Sequence, residues 1–226
     1  MDKRKSKDIV ALLQVKAALK SEVERITTEN FNVLQQTIEK MVSEYNKMFE
    51  NNVNVSFERR GSFIMQLTAI DDTLIFSQHT NVFQFDRDHE AWATKYVEED
   101  PTRCFVGVIN IFNFLTDSFK FDREEDLGYL VARVFINREG AFFVEGKRQR
   151  GMGCKNFGEK KLNAENWRKI VETALKYCIE FNLLVPPYDT VKMTDMAHMN
   201  AEILTSKTKT GKRMGFQFNS DDVKDN

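Results

Sequence analysis

The chain is poor in cysteine and proline and has no apolar run long enough to cross a membrane. Its 226 residues include 3 Cys, 3 Pro and 10 Gly. Cys104, Cys154 and Cys178 are too few and too widely spaced for a disulfide framework or a CxxC pair. No window approaches ~18 uncharged apolar residues, and the charged N-terminus does not resemble a signal peptide. We therefore expect a soluble cytoplasmic protein with reduced thiols and no membrane partner.

Familiar catalytic motifs and a dominant charge are also absent from the sequence. His79, His89 and His198 show no HxH or HExxH spacing, which argues against a sequence-encoded zinc site. There is no GxSxG, and no Lys-Ser or Lys-Thr pair follows the glycines as in a phosphate loop. With 33 basic and 34 acidic side chains the formal charge is −1, so nucleic acid could be attracted only by a local patch.

What the chain does contain is enough apolar sequence for a core. Hydrophobic residues make up 42% of the chain and 19 of them are Phe, which predicts a largely aromatic interior. The patterning divides the chain into an N-terminal helical extension (1–50), an α+β core domain (51–204) and a flexible polar tail (205–226).

The N-terminal region reads as helix almost throughout, because residues 7–50 contain no Gly or Pro. Apolar residues in its second half recur at steps of 4, 3, 4 and 3 and form a seam along one face. That seam consists of Leu34, Ile38, Met41, Tyr45 and Met48, and a looser version precedes it at Leu12, Val15, Leu19, Val23 and Ile26. The seam is compatible with packing inside the domain or with an oligomer or partner interface. The sequence leaves open whether one helix or two occupies the region.

The central region predicts a sheet. Three apolar runs, Val53–Phe57, Phe63–Ala69 and Leu74–Phe85, are separated by short turns, which favours antiparallel pairing. A nearly all-apolar segment, Cys104–Phe119, is interpreted as a buried helix. A hairpin follows, with strands Tyr129–Ile136 and Ala141–Lys147. The predicted fold is therefore α+β, with a mainly antiparallel sheet of about five strands in the order α-βββ-α-ββ-α and a long N-terminal helix.

Two further helices are expected towards the C-terminus. Asn163 is the predicted N-cap of an amphipathic helix that places Trp167 on its core face and ends by Phe181. Pro186 and Pro187 end this region by removing amide donors. A short helix is predicted at Thr194–Leu204.

A basic, glycine-containing loop at 147–161 is a candidate anion site. Glycines let backbone amides approach an anion, and basic side chains neutralise it, so the loop suits a phosphate or nucleic-acid ligand. Its candidate binding residues are Lys147, Arg148, Arg150, Lys155, Lys160 and Lys161. A solvated surface loop is the plainer interpretation of the same composition.

Asp126, followed by the hairpin and then Glu145-Gly146-Lys147, resembles the active-site pattern of PD-(D/E)XK nucleases. The resemblance implies that Asp126 and Glu145 hold Mg²⁺ and that Lys147 orients water or stabilises charge. It covers a short segment and departs from the family, because Leu127-Gly128 follows Asp126 and three additional strands precede it.

The preferred interpretation is a non-enzymatic binding or assembly protein without a cofactor, acting through helical and sheet-edge surfaces. Its order of elements resembles that of type III secretion chaperones, which are dimeric and hold an extended partner segment; this implies a protein partner or self-association. The alternatives are the metal-dependent nuclease and the phosphate or nucleic-acid binder.

Overall fold

A computed structural model describes residues 3–49, 53–124, 126–147, 152, 156–181, 185, 187–197 and 199–200. Its helices are α1 Lys3–Met48, α2 Lys95–Glu99, α3 Thr116–Lys120, α4 Ala164–Ile179 and α5 Tyr188–Val191. Its strands are β1 Val55–Arg59, β2 Ile64–Ala69, β3 Asp72–Gln78, β4 Phe83–Gln84, β5 Phe105–Leu115, β6 Tyr129–Asn137 and β7 Phe142–Gly146. Short 3₁₀ turns at Glu90–Ala93 and Pro101–Cys104 flank α2.

The strands form an antiparallel sheet in the order β1-β2-β3-β5-β6-β7, and β4 pairs with the start of β5. This confirms the predicted α+β class with a long N-terminal helix, although the sheet has 7 strands within the described residues rather than about five. The hairpin of β6 and β7 is also confirmed, with Gly140 at φ +75° in its turn, a conformation that favours glycine.

The helix predicted at Cys104–Phe119 is wrong, because most of this segment is the central strand β5. Ile109 and Ile111 pack beneath α1 and α4 on one face of the sheet. Val106 and Val108 are buried on the other face. A strand buried on both faces loses the apolar–polar alternation that marks a half-exposed strand, so its apolar run resembles that of a buried helix.

The main core lies between one face of the sheet and the helices α1 and α4. Phe31, Leu34 and Ile38 of α1 are fully buried with Trp167 and Ile170 of α4. The predicted core face of α4 is therefore confirmed. So is its cap, because Asn163 Oδ1 accepts a hydrogen bond from the Asn166 amide at 2.9 Å.

A glycine fixes where α1 crosses the sheet. A Cβ added to Gly107 in β5 would lie 2.0 Å from Oγ1 of Thr27. That hydroxyl donates to the carbonyl of Val23 at 2.7 Å, a hydrogen bond that holds the Thr27 side chain against its own helix. The backbone of β5 and α1 can approach this closely only because residue 107 has no side chain.

The opposite face of the sheet carries a smaller layer at one end. Phe85, Val97, Phe135 and Phe143 belong to its core. Glu139 ties this layer to the β6–β7 turn, since it accepts from Arg103 Nε at 2.9 Å and from the Tyr96 hydroxyl at 2.9 Å.

α1 is one continuous helix, which answers the question left open by the sequence. Within the described part of the chain, no helix is long and apolar enough to cross a membrane. The predicted tail, 205–226, lies outside the described residues. Of the helix predicted at Thr194–Leu204, the described part contains a helical hydrogen bond from the Met199 amide to the Asp195 carbonyl at 3.1 Å.

Candidate binding groove

The seam predicted on α1 points mostly into the chain's own core. Leu34, Ile38 and Met41 are buried against the sheet and α4, and Tyr45 packs against the same core. Met48, the last member, is 74% exposed. In this fold the first three side chains serve internal packing, which was one of the two interpretations open from the sequence.

The residues that resemble a nuclease site engage separate partners. Asp126 is buried and accepts from the Ser118 hydroxyl at 2.7 Å, beside α3. Glu145 lies in register with Arg133 across the β6–β7 ladder and accepts from its Nε at 2.8 Å. The backbone amide of Lys147 donates to Val131 at 3.0 Å. Among the described residues no group of three or more His, Cys, Asp or Glu side chains could hold a metal ion.

The basic loop is only partly described. Arg148, Arg150 and Lys155 lie outside the described residues, whereas Lys147, Lys160 and Lys161 are exposed. Met152 is fully buried in the main core, so its side chain anchors the middle of the loop to the domain. Lys161 forms an isolated bridge with Ala141 at the start of the hairpin's second strand.

A concave apolar surface that sequence patterns did not predict lies where α1 and α4 end beside the β2–β3 turn. This surface, hereafter the end groove, encloses about 370 Å³. Its apolar wall is formed mainly by Tyr45, Phe49, Val55, Ile70, Leu175 and Ile179. Ligand sites in proteins are commonly concave and apolar, with a few polar groups that orient the ligand.

The end of α1 is joined to the first strand by a side-chain amide. Asn46 Nδ2 donates to the Val55 carbonyl at 2.8 Å, and the Val55 amide donates to Asn46 Oδ1 at 3.0 Å. The Asn46 side chain thus forms hydrogen bonds with both backbone groups that Val55 presents on the outer side of β1. It blocks the sheet edge at this point and fixes Phe49, one turn later, at the mouth of the end groove.

Ile70 forms the opposite side of the end groove. Its backbone conformation is unfavourable. It follows Ala69 in a two-residue hairpin loop closed by the Ala69–Asp72 pair. Its φ of +56° belongs to the left-handed region, where glycine or asparagine is usual and a β-branched residue is strained. Its side chain is nonetheless 58% exposed, so burial does not explain its presence. Strain of this kind concentrates at functional positions.

Charged groups surround the end groove on the α4 side. Glu172 accepts from the Tyr45 hydroxyl at 3.3 Å and from Arg168 Nε at 2.8 Å. The ammonium nitrogen Nζ of Lys176 lies 3.7 Å from the carboxylate oxygen Oε1 of Glu180. Partial burial, and then the neighbouring Glu172 carboxylate, raise the pKa of Tyr45, so its phenol stays protonated at neutral pH.

These groups can orient a bound segment through charge and hydrogen bonds. Among the described residues, the side chains that line the end groove include no His, Cys or Ser. A larger groove of about 730 Å³ between α1 and α4 is lined mainly by polar and charged side chains such as Glu39, Lys40 and Arg168. The end groove is the better candidate for an apolar ligand, because covering it removes fewer polar groups from water.

The signals for this site were present in the sequence but had no recognisable period. Phe49 and Ile179 stand at helix ends, and Ile70 is an apolar residue in a turn that normally carries polar residues or glycine.

Comparisons with protein-family models, with curated proteins and with solved structures return no match to this chain.

Proposed function

We propose that this protein is a non-enzymatic binding or assembly protein that holds an apolar segment of a protein partner in the end groove. The observation that carries the proposal is the exposed Ile70, held in strained backbone at the edge of an apolar concavity. A residue that costs stability and gains no burial within its own chain suits a surface that another chain covers.

The shape and chemistry of the end groove define the expected partner. Its volume of about 370 Å³ accommodates a few large apolar side chains rather than a whole domain. An amphipathic helix or a short extended segment can present a few large apolar side chains on one face. Lys176 and Glu180 stand at the boundary, where they can pair with polar positions that flank the apolar ones.

The test begins with capture of partners from the native host by wild-type protein and by Ile70→Glu/Ile179→Glu. The control is Val185→Glu/Met193→Glu, which alters two apolar residues that are 89% and 83% exposed and lie outside the end groove. A true partner is retained by wild type and control and lost from the groove variant. A synthetic peptide from its apolar segment should bind purified wild-type protein, with an affinity at least ~10-fold weaker for the groove variant. Equal retention of every captured protein by all three forms would contradict the proposal.

The nuclease and anion-binding alternatives remain predictions without a specific supporting observation. Asp126 is engaged by Ser118 and Glu145 by Arg133, which are ordinary structural pairings. If Glu145 and Lys147 act on DNA in Mg²⁺, Glu145→Ala must abolish cleavage by the purified protein; equal background cleavage by both forms is the result we expect.

A further inference from the structure

The N-terminal part of α1 extends beyond the sheet that covers the rest of the helix. α1 has 46 residues, which corresponds to about 69 Å. The helix lies across the sheet, where it contacts β6, β5, β3 and β1. Its buried part, from Val23 to Met41, accounts for only about 28 Å of that length. Most of the segment before Val23 therefore has no sheet beneath it.

This free segment carries large apolar side chains at high exposure. Ile9, Leu12, Leu13 and Val15 are 57%, 65%, 63% and 68% exposed. From the buried Val23, steps of 4, 7 and 3 residues lead back through Leu19 and Leu12 to Ile9. These positions fall on one side of a helix, so the stripe continues the face that packs on the sheet. We refer to Ile9, Leu12, Leu13 and Leu19 as the free stripe.

We propose that the free stripe packs antiparallel against the free stripe of a second copy of this chain, forming a twofold-symmetric dimer. The same patch on two copies is self-complementary about a twofold axis, which closes the assembly at two. This interface is separate from the end groove and does not depend on the function proposed for it.

Charge favours the antiparallel arrangement over the parallel one. Residues 3–7 contribute four basic residues, Lys3, Arg4, Lys5 and Lys7, which Asp8 follows. At the other end of the free stripe lie Glu22 and Glu24, next to Arg25, whose guanidinium pairs with Glu29 of its own helix. A parallel pair would bring the two basic ends together. An antiparallel pair centred near Gln14 brings each basic end beside the acidic residues of the other copy, where opposite charges favour association. Opposed helix dipoles add a small contribution in the same direction.

Lys16 and Lys20 lie on the same side of the helix as the free stripe, which suits a reversible contact. Their aliphatic stems can cover neighbouring leucines while the ammonium groups stay in water. The short apolar stripe places this interface at the small end of the range for specific association. We therefore expect a dissociation constant on the order of micromolar.

The first experiment is sedimentation velocity of the full chain across about a thousandfold range of concentration. Wild-type protein should convert from monomer to dimer as concentration rises. Leu12→Glu/Leu13→Glu should raise the dissociation constant at least ~100-fold, because it puts charges into the apolar contact. Circular dichroism should show both forms folded, since these side chains are exposed and Glu is a good helix former. The control is again Val185→Glu/Met193→Glu, which should dimerise like wild type.

The second experiment fixes the direction of the helices by cysteine cross-linking in a Cys154→Ser background; Cys104 and Cys178 are buried. Ile9→Cys mixed with Leu19→Cys should yield a mixed cross-linked dimer, whereas Ile9→Cys alone should yield little. Efficient self-cross-linking of Ile9→Cys with no mixed product would overturn the antiparallel arrangement. A wild-type monomer at ~1 mM, or equal association of wild type and the Leu12/Leu13 variant, would overturn the interface itself. An oligomer larger than two would contradict the twofold pairing.

Discussion

The two halves of α1 carry the same kind of apolar stripe but differ in what lies against it. Phe31, Leu34 and Ile38 are fully buried, whereas Leu12 and Leu13 on the free stripe are more than 60% exposed. Both halves belong to one uninterrupted helix, Lys3–Met48. An amphipathic pattern therefore predicts an apolar face, but the extent of the neighbouring sheet decides how much of that face this chain buries.

The largest effect is expected at the contact between the buried half of α1 and α4. Trp167→Ala should lower the free energy of unfolding by about 3–5 kcal/mol, because the Trp167 side chain is fully buried in the main core. Urea unfolding at a fixed protein concentration measures this change. A loss below about 1 kcal/mol would show that α4 does not close the core over the buried half.

A matched pair of leucine truncations compares the two halves directly. Leu34→Ala should cost about 2–5 kcal/mol, since Leu34 is fully buried. Leu12→Ala, measured in dilute monomeric protein, should change stability by less than about 0.5 kcal/mol, because the residue is 65% exposed. Similar losses for the two variants would mean that the free stripe also packs within its own chain.

A smaller loss is expected where α1 crosses β5. Gly107→Ala introduces a methyl group against Thr27 and should cost about 1–3 kcal/mol through overpacking. If the clash with the Thr27 side chain is the cause, adding Thr27→Ala should restore part of the loss, as a double-mutant cycle of unfolding energies would reveal. Additive losses would contradict this account of the crossing.

The smallest stability effect has the opposite sign and concerns the end groove. Ile70→Asn should raise stability by about 0.5–1 kcal/mol, because Asn tolerates the left-handed conformation that strains Ile. The same substitution should weaken partner capture, since it removes an apolar side chain from the wall of the end groove. Thermal unfolding measures the gain and peptide titration measures the loss. A variant that is both less stable and equally competent in binding would remove Ile70 from the proposed site.

The sequence predicted elements that show a helical period or a recognisable turn and failed where neither signal is present. The Trp167 face of α4 was found because its apolar residues recur at helical spacing, and the β6–β7 hairpin was found because its two apolar runs flank a turn that contains Gly140. β5 was mistaken for a helix because Ile109 and Val108 are buried on opposite faces of the sheet. Ile70 escaped notice because its contribution arises from backbone conformation and from helix ends that meet only in the folded chain.

Hydrogen exchange along α1, measured at protein concentrations far below and far above the dimer dissociation constant, tests the central comparison most directly. Amides around Phe31–Met41 should be strongly protected at both concentrations, because their burial is intramolecular. Amides around Ile9–Leu19 should exchange rapidly in the dilute sample and become protected in the concentrated one. Exchange of residues 9–19 that is independent of concentration would contradict the assignment of one half of α1 to the core and the other to a second copy.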